Sequence, residues 1–311
     1  MKILDCSLRD GGYLTNWNWD HELVRDTVRV LNESGIDIIE IGYRSPEEVK
    51  KACGLYRYCE DEHIRKVLEK EYNNLCAMVD MKDYMSNGVL DIQLLIKYFK
   101  KKNESPFEYV RIAIDISESI DEYHAAKLAV DVLHSLGYKI ILNIMKISIV
   151  KNMPKFEGWP IEHLYFANSF GSAEMRSILN KAENICNVNL GYHGHANSLR
   201  TMPNRIHYGI FDATIIGIGR GAGNTELIGL MLESGLDVRA VYDLQKKYFE
   251  PLRKQYQWGY NYAYHYSGIE NIHPNYVTAL MAKHNNPIDI IEELKKIPLN
   301  ERSKFKGVLC P

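Results

Sequence analysis

Long hydrophobic runs are missing from this 311-residue sequence. No uninterrupted apolar stretch approaches the ~20 residues needed to cross a bilayer. Blocks of like charge are missing too. With 38 Lys and Arg against 40 Asp and Glu, the formal net charge is −2, so electrostatics favour neither nucleic acid nor an anionic membrane surface as partner. Paired cysteine spacing is also absent: Cys6, Cys53, Cys59, Cys76, Cys186 and Cys310 are scattered with no Cys-x-x-Cys. That pattern fits reduced thiols rather than a disulfide framework or a zinc knot. The opening run Lys2-Ile3-Leu4-Asp5-Cys6 already reads as a strand and leaves no room for a leader pattern. The expectation is a cytoplasmic globular protein.

What is present is a rhythm. Short β-branched apolar runs alternate with longer amphipathic stretches up to about residue 235. Strands are predicted over Lys2–Ser7, Asp37–Ile41, Leu75–Asp80, Tyr109–Ile114, Lys139–Ile144, His163–Ala167, Val188–Tyr192 and Ala213–Ile218. Helices are predicted between them over His21–Ser34, Asp61–Tyr72, Leu90–Lys101, Asp121–Leu136, Ala173–Ala182, Leu199–Tyr208 and Thr225–Ser234. Gly35 and Gly137 follow two of these directly, as helix stops do. Eight such units predict an α/β fold, a (β/α)8 TIM barrel, with chemistry at the C-terminal ends of the strands; a doubly wound open sheet is the alternative. Between strands five and six, Pro154, Gly158 and Pro160 predict a crossover shortened or replaced by loop.

Two units are therefore expected: a barrel over residues 1–235 and a C-terminal, mainly helical and aromatic extension over 236–311 packing on it. In the extension, Asp237–Trp258 reads as helix. The aromatics that alternate from Tyr256 to Tyr266 suggest a strand, although a helical lid or a packed loop is equally allowed.

Candidate chemistry centres on Gly191-Tyr192-His193-Gly194-His195. Histidines at i and i+2 of a strand point to one face, so both imidazoles can meet one divalent ion. Far upstream, Leu8-Arg9-Asp10-Gly11-Gly12 offers a carboxylate and a cation on a glycine turn just past a strand. Asp10, His193 and His195 make a plausible metal triad, with Arg9 beside it as an oxyanion partner. Asn224 adds an oxygen donor. Such a set suits Mn²⁺ or Mg²⁺, and Zn²⁺ or Co²⁺ also fit. The glycine run Gly217–Gly223 after strand eight reads either as an anion-binding start of a helix or as a tight turn. Other strand ends supply Glu40 and Arg44, Arg111, and Asn168 as substrate-binding candidates, and the tail supplies Tyr264 and His265. Lys146 as a Schiff-base lysine ranks low, because a metal triad already activates the substrate.

Four ordered motifs on four strands, Leu8–Gly12, Glu40-Ile41-Gly42, His193-Gly194-His195-Ala196-Asn197 and Gly219-Arg220-Gly221-Ala222-Gly223-Asn224-Thr225, resemble those of the DRE-TIM metallolyase superfamily, and most of all its 4-hydroxy-2-oxovalerate aldolase-like members. The resemblance spans residues 1–235. It implies a divalent metal on Asp10, His193 and His195, with Asn224, that chelates a 2-oxo acid, and Arg9 stabilising an enolate oxygen. The implied substrates are a small 2-oxo acid, with pyruvate as the enolate half, and an aldehyde. Two positions depart from the aldolases. Their strand-one histidine base is Tyr13 here, and their strand-six aspartate is Asn168, which cannot act as a base. Tyr13, His265 or a metal-bound water are the candidates for proton transfer. The tail is shorter than the aldolase segment that docks an acylating aldehyde dehydrogenase, so that partner is not expected; the aromatic tail is compatible with a homo-oligomer, which the sequence does not fix. The alternatives are a Claisen-type acyl-CoA enzyme or acyl-CoA lyase of the same superfamily, and a barrel that has lost catalysis and serves as a binding subunit.

Overall fold

In the computed structural model, residues 1–49, 52–173, 178, 188–197 and 209–305 are described. Eight parallel strands close into a barrel: β1 Lys2–Asp5, β2 Ile38–Tyr43, β3 Leu75–Asp80, β4 Tyr109–Ile114, β5 Lys139–Ile144, β6 His163–Asn168, β7 Asn189–Gly194 and β8 Ile210–Ala213. Each strand pairs with its sequence neighbours, and β1 closes the ring against β8 in the register Lys2↔Ile210 to Asp5↔Ala213. The closed ring excludes the open-sheet alternative. Strands so covered on both faces read as continuous apolar runs, and β2 and β3 are buried at every position.

The helices around this ring are α1 Ser7–Thr15, α2 His21–Glu33, α3 Asp61–Leu68, α4 Ile92–Tyr98, α5 Asp121–Ser135 and α6 Leu227–Glu233. Their ends follow local chemistry. Asp20 caps α2 by accepting from the amides of Glu22 and Leu23, and Leu23, Val24, Val28 and Leu31 form the buried stripe. Between β5 and β6 no helix forms, as Pro154, Gly158 and Pro160 predict. The expected helix Leu199–Tyr208 and most of Ala173–Ala182 fall outside the described residues.

Three expectations need correction. The eighth strand is Ile210–Ala213 rather than Ala213–Ile218; the later run is a turn in which Ile216 (φ +51) and Gly217 (φ +65) enter the left-handed region. The strand-one motif lies on a helix, α1, and not on a glycine turn. Gly12 is required there because a Cβ would sit 2.2 Å from the Trp17 ring. The alternating aromatics do not form a strand: Tyr256 ends one helix, Glu250–Tyr256, and Tyr262, Tyr264 and Tyr266 lie on the next, Tyr262–Ile269, whose N-cap Asn261 accepts from the Tyr264 amide. Further helices follow at Pro274–Met281 and Pro287–Lys295.

The extension packs on the barrel. Val241, Leu244, Phe249 and Trp258 join the main hydrophobic core, while Ala263, Tyr264, Ile272, Val277, Ile290 and Leu294 form a smaller one with Ala222. Asn271 (φ +53) ties it to the C-terminal loops by accepting from Ser148 Oγ at 2.9 Å and Ser172 Oγ at 2.6 Å. No described helix is long and apolar enough to cross a membrane.

Candidate active site

Strand parity fills the barrel interior. Leu4, Cys6, Ile38, Cys76, Ile141, Tyr165 and Ile210 make a compact apolar layer. Two residues further along their strands come Glu40, Asn143, Asp212 and, on β4, Arg111. Arg111 is wholly buried and spans the interior, reaching Asp212 at 2.7 Å, Asn143 Oδ1 at 3.0 Å and the face of Tyr165 at 4.2 Å. Glu40 lies 3.6 Å from Arg111 and 2.7 Å from Arg9 Nε. A fully charged layer so far from water is sustained only by this mutual pairing.

At the C-terminal mouth the layer meets the metal candidates. Asp10, His193 and His195 are buried, and one donor atom from each lies within 4.8 Å of the others. The backbone bridge His195↔Asn224 brings the loop after β8 alongside, where Asn224 Nδ2 donates to Asp10 and to the Ile218 carbonyl. Asn224 Oδ1 is buried without a partner among the described residues. His193 Nδ1 bonds Asp212 at 2.7 Å, which turns Nε2 toward the cluster, the arrangement metal-binding imidazoles use. Burial would raise the Asp10 carboxyl, but Arg9, His195, His193 and Arg220 outweigh it and hold it well below the usual range. Burial pushes His195 down to about 3, so its imidazole is neutral and available as a ligand. A carboxylate, two imidazoles and an orphaned amide oxygen fit a divalent cation.

Arg9 is fixed at the edge of this set by Glu40 and, at 2.6 Å, by Asp10, leaving Nη2 without a partner among the described residues. Tyr13 follows Asp10 by three positions on α1 and so shares its face. Its hydroxyl lies 2.7 Å from that of Tyr43. Burial, with Tyr13 beside it, pushes the Tyr43 phenol well above its ordinary range, so it stays a neutral donor.

The other sequence candidates are placed differently. Glu40 and Arg111 belong to the interior charge layer. Arg44 bonds Asp61 at 2.6 Å and the Cys59 carbonyl at 2.7 Å, with Phe99 and Phe107 over its guanidinium. Asn168 closes the turn after β6, accepting from the amides of Ser172 and Ala173 and donating to the Ala173 carbonyl and Tyr192 hydroxyl. Tyr264 bonds Thr278 within the extension, and His265 packs against Tyr260. The glycine run does not present free helix amides: α6 starts at Leu227, and Glu226 caps it by accepting from the Gly229 amide. A carboxylate occupies the position an anion would take, so the tight-turn alternative holds. Sequence reasoning missed Asp212. A lone acid in the apolar run Ile210-Phe211-Asp212-Ala213 was its signal, hidden because the eighth strand was expected too late.

No family model matches the chain. Among curated proteins it is similar to a 4-hydroxy-2-oxovalerate aldolase of Geobacillus genomosp. 3, 23% identical over 269 residues, 81% of this chain and 77% of that one. It is also 21% identical to an oxaloacetate decarboxylase of Mycobacterium tuberculosis, over 72% of this chain and 67% of the other. Among solved structures, the N-terminal domain of a candidate aldolase from Bacteroides vulgatus superposes with a TM-score of 0.71 at 26% identity, covering 93% of this chain and 99% of that domain. With its ordered motifs, closed barrel and these relatives, the chain groups with the DRE-TIM metallolyases, a superfamily of metal-dependent carbon–carbon lyases.

Proposed function

We propose that this protein makes or cleaves a carbon–carbon bond of a 4-hydroxy-2-oxo acid, with pyruvate as the enolate half, an aldehyde as the other, and Mn²⁺ or Mg²⁺ as cofactor. The observation that carries this is the buried triad of Asp10, His193 and His195 beside Arg9 at the mouth of the barrel. A cation held there supplies Lewis-acid polarisation of the keto oxygen.

The chain's own groups supply the rest. In cleavage, Tyr13 Oη in its phenolate form takes the proton of the C4 hydroxyl, the electron pair of the C3–C4 bond passes into the three-carbon enolate, the aldehyde leaves, and the phenol then returns the proton to carbon 3. Arg9 Nη2 is positioned to donate to the enolate oxygen, and because Glu40 and Asp10 fix the guanidinium beforehand, no reorganisation is needed as charge develops. Tyr13 Oη carries the proton to and from carbon 3, with Tyr43 holding the phenol in place. Asp212 orients His193, and Asn271 of the extension ties together the loops after β5 and β6.

The direct test is incubation of metal-stripped protein with pyruvate in D₂O, with and without Mn²⁺, following the methyl protons by NMR. Metal-dependent exchange is expected. No exchange in protein shown to carry the metal overturns pyruvate as donor. Tyr13→Phe is expected to slow exchange by about 10²–10⁴-fold while leaving metal binding in place.

A further inference from the structure

Besides Arg9, the described residues place Lys82, Lys146 and Arg220 around the mouth. Lys82, in the turn after β3, holds Asp80 at 2.9 Å, and Lys146, just past β5, holds Asp115 at 2.6 Å. Each is neutralised by an acid of its own neighbourhood. Arg220 has no carboxylate in ion-pair distance among the described residues. Its guanidinium carbon lies 4.5 Å from the centre of the Tyr13 ring, and its Nε is buried without a hydrogen-bond partner among the described residues.

The position is set by the backbone before it. Gly219 (φ +156) runs so close to the ligand shell that a Cβ would lie 2.6 Å from Asp10 Oδ2 and 2.1 Å from Asn224 Nδ2. Residue 220 is therefore delivered to the rim of that shell. On its other side, a Cβ on Gly221 would lie 3.3 Å from Pro274 of the extension, so Arg220 sits between the metal candidates and the extension, and its charge acts on Asp10, His195 and His273. A partly desolvated guanidinium with no carboxylate in ion-pair distance is costly to maintain, and its planar fork suits a carboxylate or a phosphate. The donor acid's own carboxylate and keto oxygen are accounted for by the cation site, so a second anion must come from the other half of the substrate. Resting on the aldolase reading above, we infer that Arg220 receives a carboxylate or phosphate carried by the aldehyde, so that the acceptor is an anionic aldehyde and the aldol product carries two acidic groups.

The experiment compares wild type, Arg220→Gln and Arg220→Lys, all loaded with Mn²⁺, in aldol addition of pyruvate to acetaldehyde, succinic semialdehyde and glyceraldehyde 3-phosphate, beside pyruvate methyl exchange. Wild type is expected to favour one charged aldehyde over acetaldehyde by about tenfold or more in kcat/KM, and which one tells carboxylate from phosphate. Arg220→Gln should lose about 10–100-fold with that aldehyde, chiefly through KM, with a smaller loss in exchange, and Arg220→Lys should recover part. Equal use of acetaldehyde by wild type overturns the inference. So does a loss of exchange in Arg220→Gln as large as the loss of addition, because the arginine would then serve the donor. If wild type fails to exchange pyruvate, it is the aldolase reading that falls. Thermal shift of the metal-stripped protein then decides for Arg220: stabilisation by succinate or inorganic phosphate over chloride at equal ionic strength, absent in Arg220→Gln, supports an anion receptor, and no such difference rejects it.

Discussion

Asp212 shows how a residue outside the ligand shell can govern it. It holds His193 Nδ1 and Arg111 at once, and although burial opposes its ionisation, Arg111 and His193 keep its carboxyl below the ordinary range. In Asp212→Asn, Mn²⁺ affinity measured by calorimetry should fall about 10–100-fold through loss of imidazole orientation. Urea melts should show a loss of about 3 kcal/mol, because Arg111 is left with the more distant Glu40 as its acid. Asp5 behaves in the opposite sense. Burial pushes its carboxyl up to about 7 against the lowering effect of its bonds from Ser7. An acid raised on folding is protonated in the native state while the unfolded chain has already ionised, so stability drains away as pH rises from about 4 to about 7 and stays low above. Asp5→Asn, whose Oδ1 can accept from the Ser7 amide as the carboxyl oxygen does, should flatten that slope and raise stability at pH 8; an unchanged slope in pH-dependent melts would contradict it.

At the scale of elements, strands one to seven were legible because β-branched apolar runs bounded by turn residues have few other uses in a barrel. The eighth was displaced because Thr214–Ile218 is as apolar as a strand, and only its left-handed backbone at Ile216 and Gly217 ends the pairing. Helix α1 was read as a turn since a Gly-Gly pair disfavours helix. Tertiary packing overrides that preference, because only glycine leaves room for Trp17. The triad and Arg9 were legible from residue type and order, whereas Asp212 and Arg220 act through neighbours far apart in sequence, so that even a lone acid in an apolar run does not reveal its partners. One close approach gives a sharp test. In β2 the register slips between Glu40 and Gly42, where a Cβ would lie 2.0 Å from the Tyr56 carbonyl oxygen. Gly42→Ala should therefore cost about 1–3 kcal/mol or more in denaturant melts, and because Glu40 moves with the strand, Arg9 loses its exact placement.

Across the whole molecule, barrel and extension share one apolar core, through Val241, Leu244, Phe249 and Trp258. Deletion of residues 237–311 should yield aggregated protein rather than a smaller active barrel; a soluble, cooperatively melting product would refute this. Metal should stabilise the intact chain by mass action, about 2.7 kcal/mol at a hundredfold excess over the dissociation constant. Differential scanning calorimetry should thus show a higher Tm with Mn²⁺ in wild type and no response in His193→Ala.

The tryptophans beneath α1 have a practical consequence. Trp17 donates its indole N–H to the carbonyl of Arg9, at 3.0 Å, and Trp19 to that of Leu8, at 2.9 Å. Both indoles are buried, and Trp17 also packs edge-on against Tyr13 at 4.8 Å. The chain thereby carries built-in lamps wired to the very peptide units that present its arginine and aspartate. A paramagnetic ion arriving at Asp10 should dim them, and the rate of dimming in a stopped-flow instrument gives the speed at which the site fills, with no label attached.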